Sequence, residues 1–233
     1  PTMTSNKCYN VSLTVTMPGS LTPDFPVKKE DASFSVTVSD WDGNIDVDET
    51  IDMAEKKNVI LTSDTDSNIP YTINRVANFS KTIINHRKGT LVLQKITFDG
   101  HSIPTGDNTV VQTKATLSIT GNTVFQNCVG NKGSAVKVMS KGKFTMENGA
   151  FKFNQATSGG AILVSTGGTF VMKNGTISHN TSTSGGGGIQ LEKDSVLNIT
   201  GGTVNSNEVG VDKINDLPKE ESLNIYFKEG ASL

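Results

Sequence analysis

The feature that most constrains this chain is an apolar pair that returns every 26 or 27 residues. Leu91/Leu93, Leu117/Ile119, Phe144/Met146, Phe170/Met172, Leu197/Ile199 and Leu223/Ile225 are successive copies, separated by steps of 26, 27, 26, 27 and 26. A period of roughly 20 to 50 residues marks a solenoid or another repeat array. A second column runs in step: Val124, Phe151, Ile177 and Val204 are each followed three places later by Asn127, Asn154, Asn180 and Asn207. One repeat earlier the same slot reads Phe98 and His101. A third column holds Val136/Val138, Ile162/Val164, Ile189/Leu191 and Ile214/Leu217, introduced by Gly159-Gly160 and by Gly185 to Gly188.

Each repeat therefore carries three short alternating runs with Gly, Asn, Ser and Thr between them. Helical repeats need amphipathic runs of period 3.6, and these are absent. Strands of a few residues with a corner after each make a three-sided coil, and stacked coils place equivalent residues about 4.8 Å apart. Six or seven coils give a rod of roughly 30 Å. The fold class predicted is all-β: a single-stranded parallel β-helix of about 26-residue coils, right-handed because parallel crossovers are. The asparagines are predicted to be structural. Asn tolerates left-handed backbone at a corner, and stacked amides form ladders. The alternative is a row of ligand-binding amides.

The flanks read differently. Residues 1–47 are expected to form a β extension or linker, with half-buried strands at Val11–Met17 and Phe34–Val38 around a Pro-rich loop, Pro18–Pro26. Residues 48–57, with acids first and lysines last, predict a short helix capping the open end of a β-helix that spans 48–233. From Asn58 the strand-and-turn pattern starts in degraded form, at Val59–Leu61, Tyr71–Ile73, Thr82–Ile84 and Thr90–Leu93.

Composition narrows function. The 21 basic and 23 acidic residues are nearly balanced and no basic block stands out, which argues against nucleic acid as a partner. No run of 18 apolar residues is present, so no transmembrane helix is expected. The first twenty residues lack signal-peptide character, and the chain reads as a mature or excised monomeric domain of a larger protein. Cys8 and Cys128 permit one disulfide without requiring it, and a buried or unpaired thiol is the preferred reading. No cofactor is expected. The one candidate ion is calcium, at Asp40, Asp42, Asn44 and Asp46. That spacing loosely imitates a calcium loop, but Ile45 replaces the sixth-position Gly and Ile51 the twelfth-position Glu. The competing reading is a solvated acidic linker. Sequons at Asn10, Asn78, Asn174, Asn180 and Asn198 follow from composition.

The motifs also carry a resemblance. Gly159-Gly-Ala-Ile162 with Phe151-Lys-Phe-Asn154 resembles the paired GGA[ILV] and FxxN repeats of the chlamydial polymorphic outer membrane proteins. The unit Gly168-Thr-Phe-Val-Met-Lys-Asn-Gly-Thr-Ile-Ser-His-Asn180 is similar to adhesin-like repeats of spirochaetes and gut microbes. The resemblance covers about residues 89–210. Gly133-Ser-Ala-Val136 and Gly187-Gly-Ile-Gln190 depart from the first motif. It implies a right-handed β-helix on a bacterial surface or secreted by the cell, outer-membrane-associated and adhesive. The implied partner is a host or matrix protein or a glycan.

Parallel β-helices also host polysaccharide lyases and glycoside hydrolases, so an enzyme, or its inactive descendant, is the alternative. Glycoside hydrolysis needs two carboxylates roughly 5 to 9.5 Å apart. Shifted by one repeat, Asp99 maps to Phe125, Glu147 to Gly121 and Lys173, Glu192 to Ser165 and Pro218, and Glu208 to Thr181. Only Asp194 and Glu220 coincide, and they read as surface charges. His86, His101 and His179 lack metal spacing, and the single Trp lies outside the array. A non-catalytic adhesin-like protein, or a stalk that only spaces another domain, is expected, with any binding where periodicity breaks: His101, Gly185–Gly188 and the N-terminal segment.

Overall fold

In a computed structural model, the chain is all-β and winds into a parallel β-solenoid. The structure describes residues 33–38, 44–55, 57–63, 70–210 and 224–233. Three seven-stranded sheets and one four-stranded sheet run along it. The first face stacks Ser33–Val38, Lys57–Ser63, Gly89–Gln94, Thr116–Thr120, Lys143–Met146, Thr169–Met172 and Val196–Ile199. The second stacks Asn44–Val47, Tyr71–Arg75, Ile96–Asp99, Val124–Gln126, Ala150–Lys152, Thr176–Ser178 and Thr203–Asn205. The third stacks Ile51–Met53, Ile84–His86, Val111–Thr113, Val136–Val138, Ile162–Val164, Ile189–Leu191 and Ile225–Phe227. A narrow fourth face lies between the second and third in chain order, made of Val129–Lys132, Gln155–Ser158, Thr181–Ser184 and Glu208–Val209. From Val129 to Val209 the coil is thus four-sided, where the sequence predicts three sides; the other described coils carry strands on three faces.

The first column holds as read. Leu91, Leu117, Phe144, Phe170 and Leu197 are register partners, as are Leu93, Ile119, Met146, Met172 and Ile199. Ile225 is a correction: it pairs with Ile189 on the third face, and Ser232 closes the first face, its N–H donating to the Ser195 carbonyl and its carbonyl accepting from the Leu197 N–H. Ile214, Leu217 and Leu223 lie outside the described residues. The predicted helix is a second correction. Ile51–Met53 pairs with Ile84–His86, and Lys57–Ser63 with Gly89–Gln94. Helix-favouring acids and lysines lose here to ladder pairing that only the neighbouring coils supply. Ser33–Val38 is itself the outermost described strand of the first face, so the coil pattern runs across the predicted boundary at 47. The predicted strand at 11–17 is outside the described residues.

The core is built from columns one strand apart. Phe98, Phe125 and Phe151 stack with ring centroids 4.8 Å apart, and Phe144 stacks on Phe170 at 4.7 Å. Those distances equal the spacing between paired strands, about 4.7 to 4.9 Å, so one geometry satisfies backbone ladder and ring stack together. All five rings are fully buried. Each buried Phe contributes roughly 1.5 to 3 kcal/mol from area alone. The narrow face admits only small inward residues: Gly130, Ala156, Ser182 and Val209 share its inner register.

Candidate functional site

Among the described residues the inward columns are filled by buried side chains, which leaves the corners and outer rows to present polar groups. Two corners are built around asparagine. At the corner between the second and narrow faces, Asn154, Asn180 and Asn207 point inward and are buried. The Asn180 side-chain oxygen accepts from the Asn154 N–H at 3.0 Å and from its Nδ2 at 2.9 Å. Asn207 accepts from Asn180 in the same way, at 3.0 and 2.8 Å. Each Nδ2 also donates to a second-face carbonyl: Phe125, Phe151 and Ile177 respectively. Asn224 ends the ladder, accepting from Asn207 Nδ2 at 2.9 Å, although it arrives from the third-face side.

Asn127 does not belong to this ladder. The turn Thr120–Thr123 holds two left-handed residues, Gly121 and Asn122, and is one residue longer than later turns. Phe125, not Val124, therefore pairs with Phe151. A one-residue slip moves every side chain to the other face. Asn127 lands on the outer, left-handed position at φ 55°. Cys128 takes the ladder slot: its N–H donates to Asn154 Oδ1 at 3.1 Å and its thiol to the Gln126 carbonyl at 3.3 Å. The same slip corrects the mapping of Asp99, which pairs with Gln126. Cys128 is free and buried, and burial pushes its thiol up to about 12. Cys8 lies outside the described residues.

The outer row of this corner is Asn127, Phe153, His179 and Ser206, all with φ between 53° and 57°. Asn, His and Ser fit that role; a phenylalanine in left-handed backbone is an outlier. Phe153 is 56% exposed, and its ring lies 5.5 Å from that of His179. Towards the N-terminus the row continues into a fixed carboxylate. Asp99 accepts from Gln126 Nε2 at 2.8 Å, from Asn127 Nδ2 at 3.1 Å and from the His101 N–H at 2.8 Å. His101 itself is exposed, with Nε2 3.9 Å from Asp99.

Between the first and second faces the arrangement inverts. Here Asn122, Asn148 and Asn174 point outward, with Asn148 Nδ2 donating to Asn122 Oδ1 at 3.1 Å. Glycines form the inner side: Gly149, Gly175 and Gly202 have φ of 139°, 103° and 92°. Missing side chains leave an open groove of about 360 Å³, floored by these glycines and edged by the asparagines and by Thr176 and Thr203.

Family models, curated proteins and solved structures gave no match to this chain. The recurrent motifs therefore have to be explained by what they do in this fold. In Gly159-Gly-Ala-Ile162, Gly159 is left-handed at φ 59°. A Cβ on Gly160 would run into the carbonyl oxygen of Gly187 in the next coil. Ala161 and Ile162 are fully buried. Gly185–Gly188 is the same corner one coil on; all four glycines are buried, and the Gly186 carbonyl accepts from the Gly160 N–H at 3.1 Å. That run is thus accounted for by coil-to-coil packing.

The remaining candidates separate. Asp40 and Asp42 lie outside the described residues. Asn44 and Asp46 fall in a strand, paired with Thr72 and Asn74, and not in an ion-wrapping loop. Among the described residues no group of three His, Cys, Asp or Glu converges on a common point. Glu147 faces Lys173 at 2.8 Å, as the repeat shift indicated. Asp194 is exposed in a left-handed turn, and Glu220 is outside the described residues. His86 is buried on the third face, with Nδ1 3.0 Å from Thr113 Oγ1 and Nε2 without a hydrogen-bond partner. Burial lowers its pKa, opposed by nearby backbone groups of Lys88 and Gly89. The sequence reasoning missed Phe153 and Asp99. Asp99 stood out only as an acid, whereas Phe153 was detectable as a bulky residue directly before the ladder asparagine.

Proposed function

We propose that this chain is a non-catalytic, adhesin-like β-helix of a bacterial surface or secreted protein, which engages a host or matrix ligand through its outer rows and corners. The observation that carries this reading is the division of labour across the coil. Inward columns are packed with fully buried apolar side chains. Potential ligand-binding groups, among them His101, Asn127, Phe153 and His179, are fixed on one outer corner by the left-handed turns. Rigid elements that hold polar groups in place suit binding, because little ordering remains to be done when the ligand arrives.

The test is adhesion of the purified protein to immobilised matrix proteins, glycans and host-cell surfaces, against a control with scrambled outer-row residues. Saturable binding that the control lacks supports the reading. Silence across all three classes of surface sinks it and leaves a spacer.

A further inference from the structure

We propose that the outer corner centred on Phe153 and His179 is a carbohydrate-binding strip, on which the Phe153 ring stacks against the C–H face of a sugar while Gln126 and Asn127, both anchored by Asp99, hydrogen-bond its hydroxyls. This rests on the binding role above and assigns its ligand class.

Phe153 is in the wrong place for a structural residue. Its slot needs left-handed backbone, filled elsewhere in the row by Asn127, His179 and Ser206. Its ring is not used in the core, being 56% exposed. A strained residue that gives little burial in return points to a use outside the fold. Its neighbours indicate what kind. His179 flanks the ring at 5.5 Å with a 38° tilt, forming a bent aromatic surface and not a flat stack. One and two coils towards the N-terminus, at about 4.8 Å per coil, stand Asn127 and Asp99. Asp99 is already held by Gln126, Asn127 and the His101 N–H, so its carboxylate is oriented before any ligand arrives.

A sugar ring is amphipathic, with a C–H face and a rim of hydroxyls that both donate and accept. The strip offers the matching pair: one exposed aromatic platform and, one coil away, two outer amides that a carboxylate only 12% exposed holds in place. A protein partner would call for a cluster of apolar anchors. Among the described residues the other large exposed apolar side chains, Ile51, Ile60, Val196, Phe227 and Leu233, lie elsewhere, and Phe153 alone stands on this corner. A nucleic acid would call for a row of basic side chains against its phosphates, whereas the described row holds Asn127, Phe153, His179 and Ser206 on a chain of net charge −2.

The discriminating variant is Phe153→Asn, which installs the residue found one coil earlier. The probes are an immobilised panel of neutral, N-acetylated and uronic oligosaccharides, with a matrix-protein panel alongside. The wild type should bind at least one oligosaccharide, Phe153→Asn should lose at least tenfold in affinity, and Phe153→Tyr should keep it. Relief of the left-handed strain should also raise the unfolding midpoint of Phe153→Asn by about 2 to 4 °C. Unchanged glycan binding in Phe153→Asn overturns the inference, and so does a lowered midpoint, which would make the ring structural. A wild type that binds matrix proteins but no oligosaccharide removes the ligand class and keeps the adhesive reading. Silence on both panels removes both.

Discussion

The two asparagine corners use the same residue at the same period for opposite ends. Asn154, Asn180 and Asn207 face inward, where each amide joins three or more backbone or side-chain partners in a dry ladder. Asn122, Asn148 and Asn174 face outward beside a groove, where water can replace any bond they make. Periodicity reports that a position is equivalent from coil to coil. It does not report which side of the wall the position is on. Burial decides that, and with it the energy: an unpaired buried polar group costs about 1 to 3 kcal/mol, an exposed one almost nothing.

The largest effect should come from the inner column. Asn180→Ala strips partners from the Asn154 N–H and Nδ2, from the Phe151 and Ser178 carbonyls and from Asn207 Oδ1. Partial rescue by a trapped water leaves an expected loss of roughly 3 to 6 kcal/mol, readable as a shift of the denaturation midpoint at unchanged m-value. A loss below 1 kcal/mol would mean that the ladder is incidental.

The glycines of the outer corner come next. Gly175 has φ 103°, and a Cβ there would sit 2.5 Å from the Gly149 carbonyl oxygen. Gly175→Ala should cost about 1 to 3 kcal/mol. The groove is then a by-product of tight turning, and a tolerated Ala would show that the glycines are kept for access instead.

A third test sharpens the inner side by contrast with a buried polar group that is not fully served. His86 bonds Thr113 through Nδ1 only. Its folded pKa lies below the usual 6.5 because burial disfavours the charged imidazolium. The unfolded chain therefore takes up the proton first as pH falls. The stability contribution of neutral His86 is intact above 6.5 and declines as pH drops from 6.5 towards the folded value. Unfolding midpoints between pH 7.5 and 5 should fall more in the wild type than in His86→Gln. Parallel curves would remove His86 from the acid response.

How much of this was legible in the sequence depended on which signal each element sends. The first face announces itself because both residues of each pair are large and apolar. The narrow face is silent: Gln155–Ser158 and Thr181–Ser184 are polar, and their single inward residues are Ala156 and Ser182. The slip at Thr120–Thr123 is hidden because Val124 and Phe125 are both apolar, so either could fill the column. Choosing Val124 put Asn127 in the ladder and hid Cys128. Helix-like composition at 48–57 misled because strand pairing there depends on coils far along the chain. The corner carrying Phe153 was visible only as part of a motif, since its left-handed backbone is a property of the coil and not of the local sequence.

The smallest effect closes the comparison. Asn148 donates to Asn122 at 3.1 Å in an exposed setting, and its removal leaves no buried group unpaired. Asn148→Ala should change stability by less than about 0.5 kcal/mol, against the several expected for Asn180→Ala. Chemical denaturation of the two variants side by side reads the difference directly. If Asn148→Ala proved as costly as Asn180→Ala, stacking of equivalent amides would itself be the stabilising term, whichever side of the wall it lies on. If it is neutral, as the exposure of the outer column requires, then its spacing follows from the corner glycines beside it, and the outer asparagines are free to be selected for what they touch.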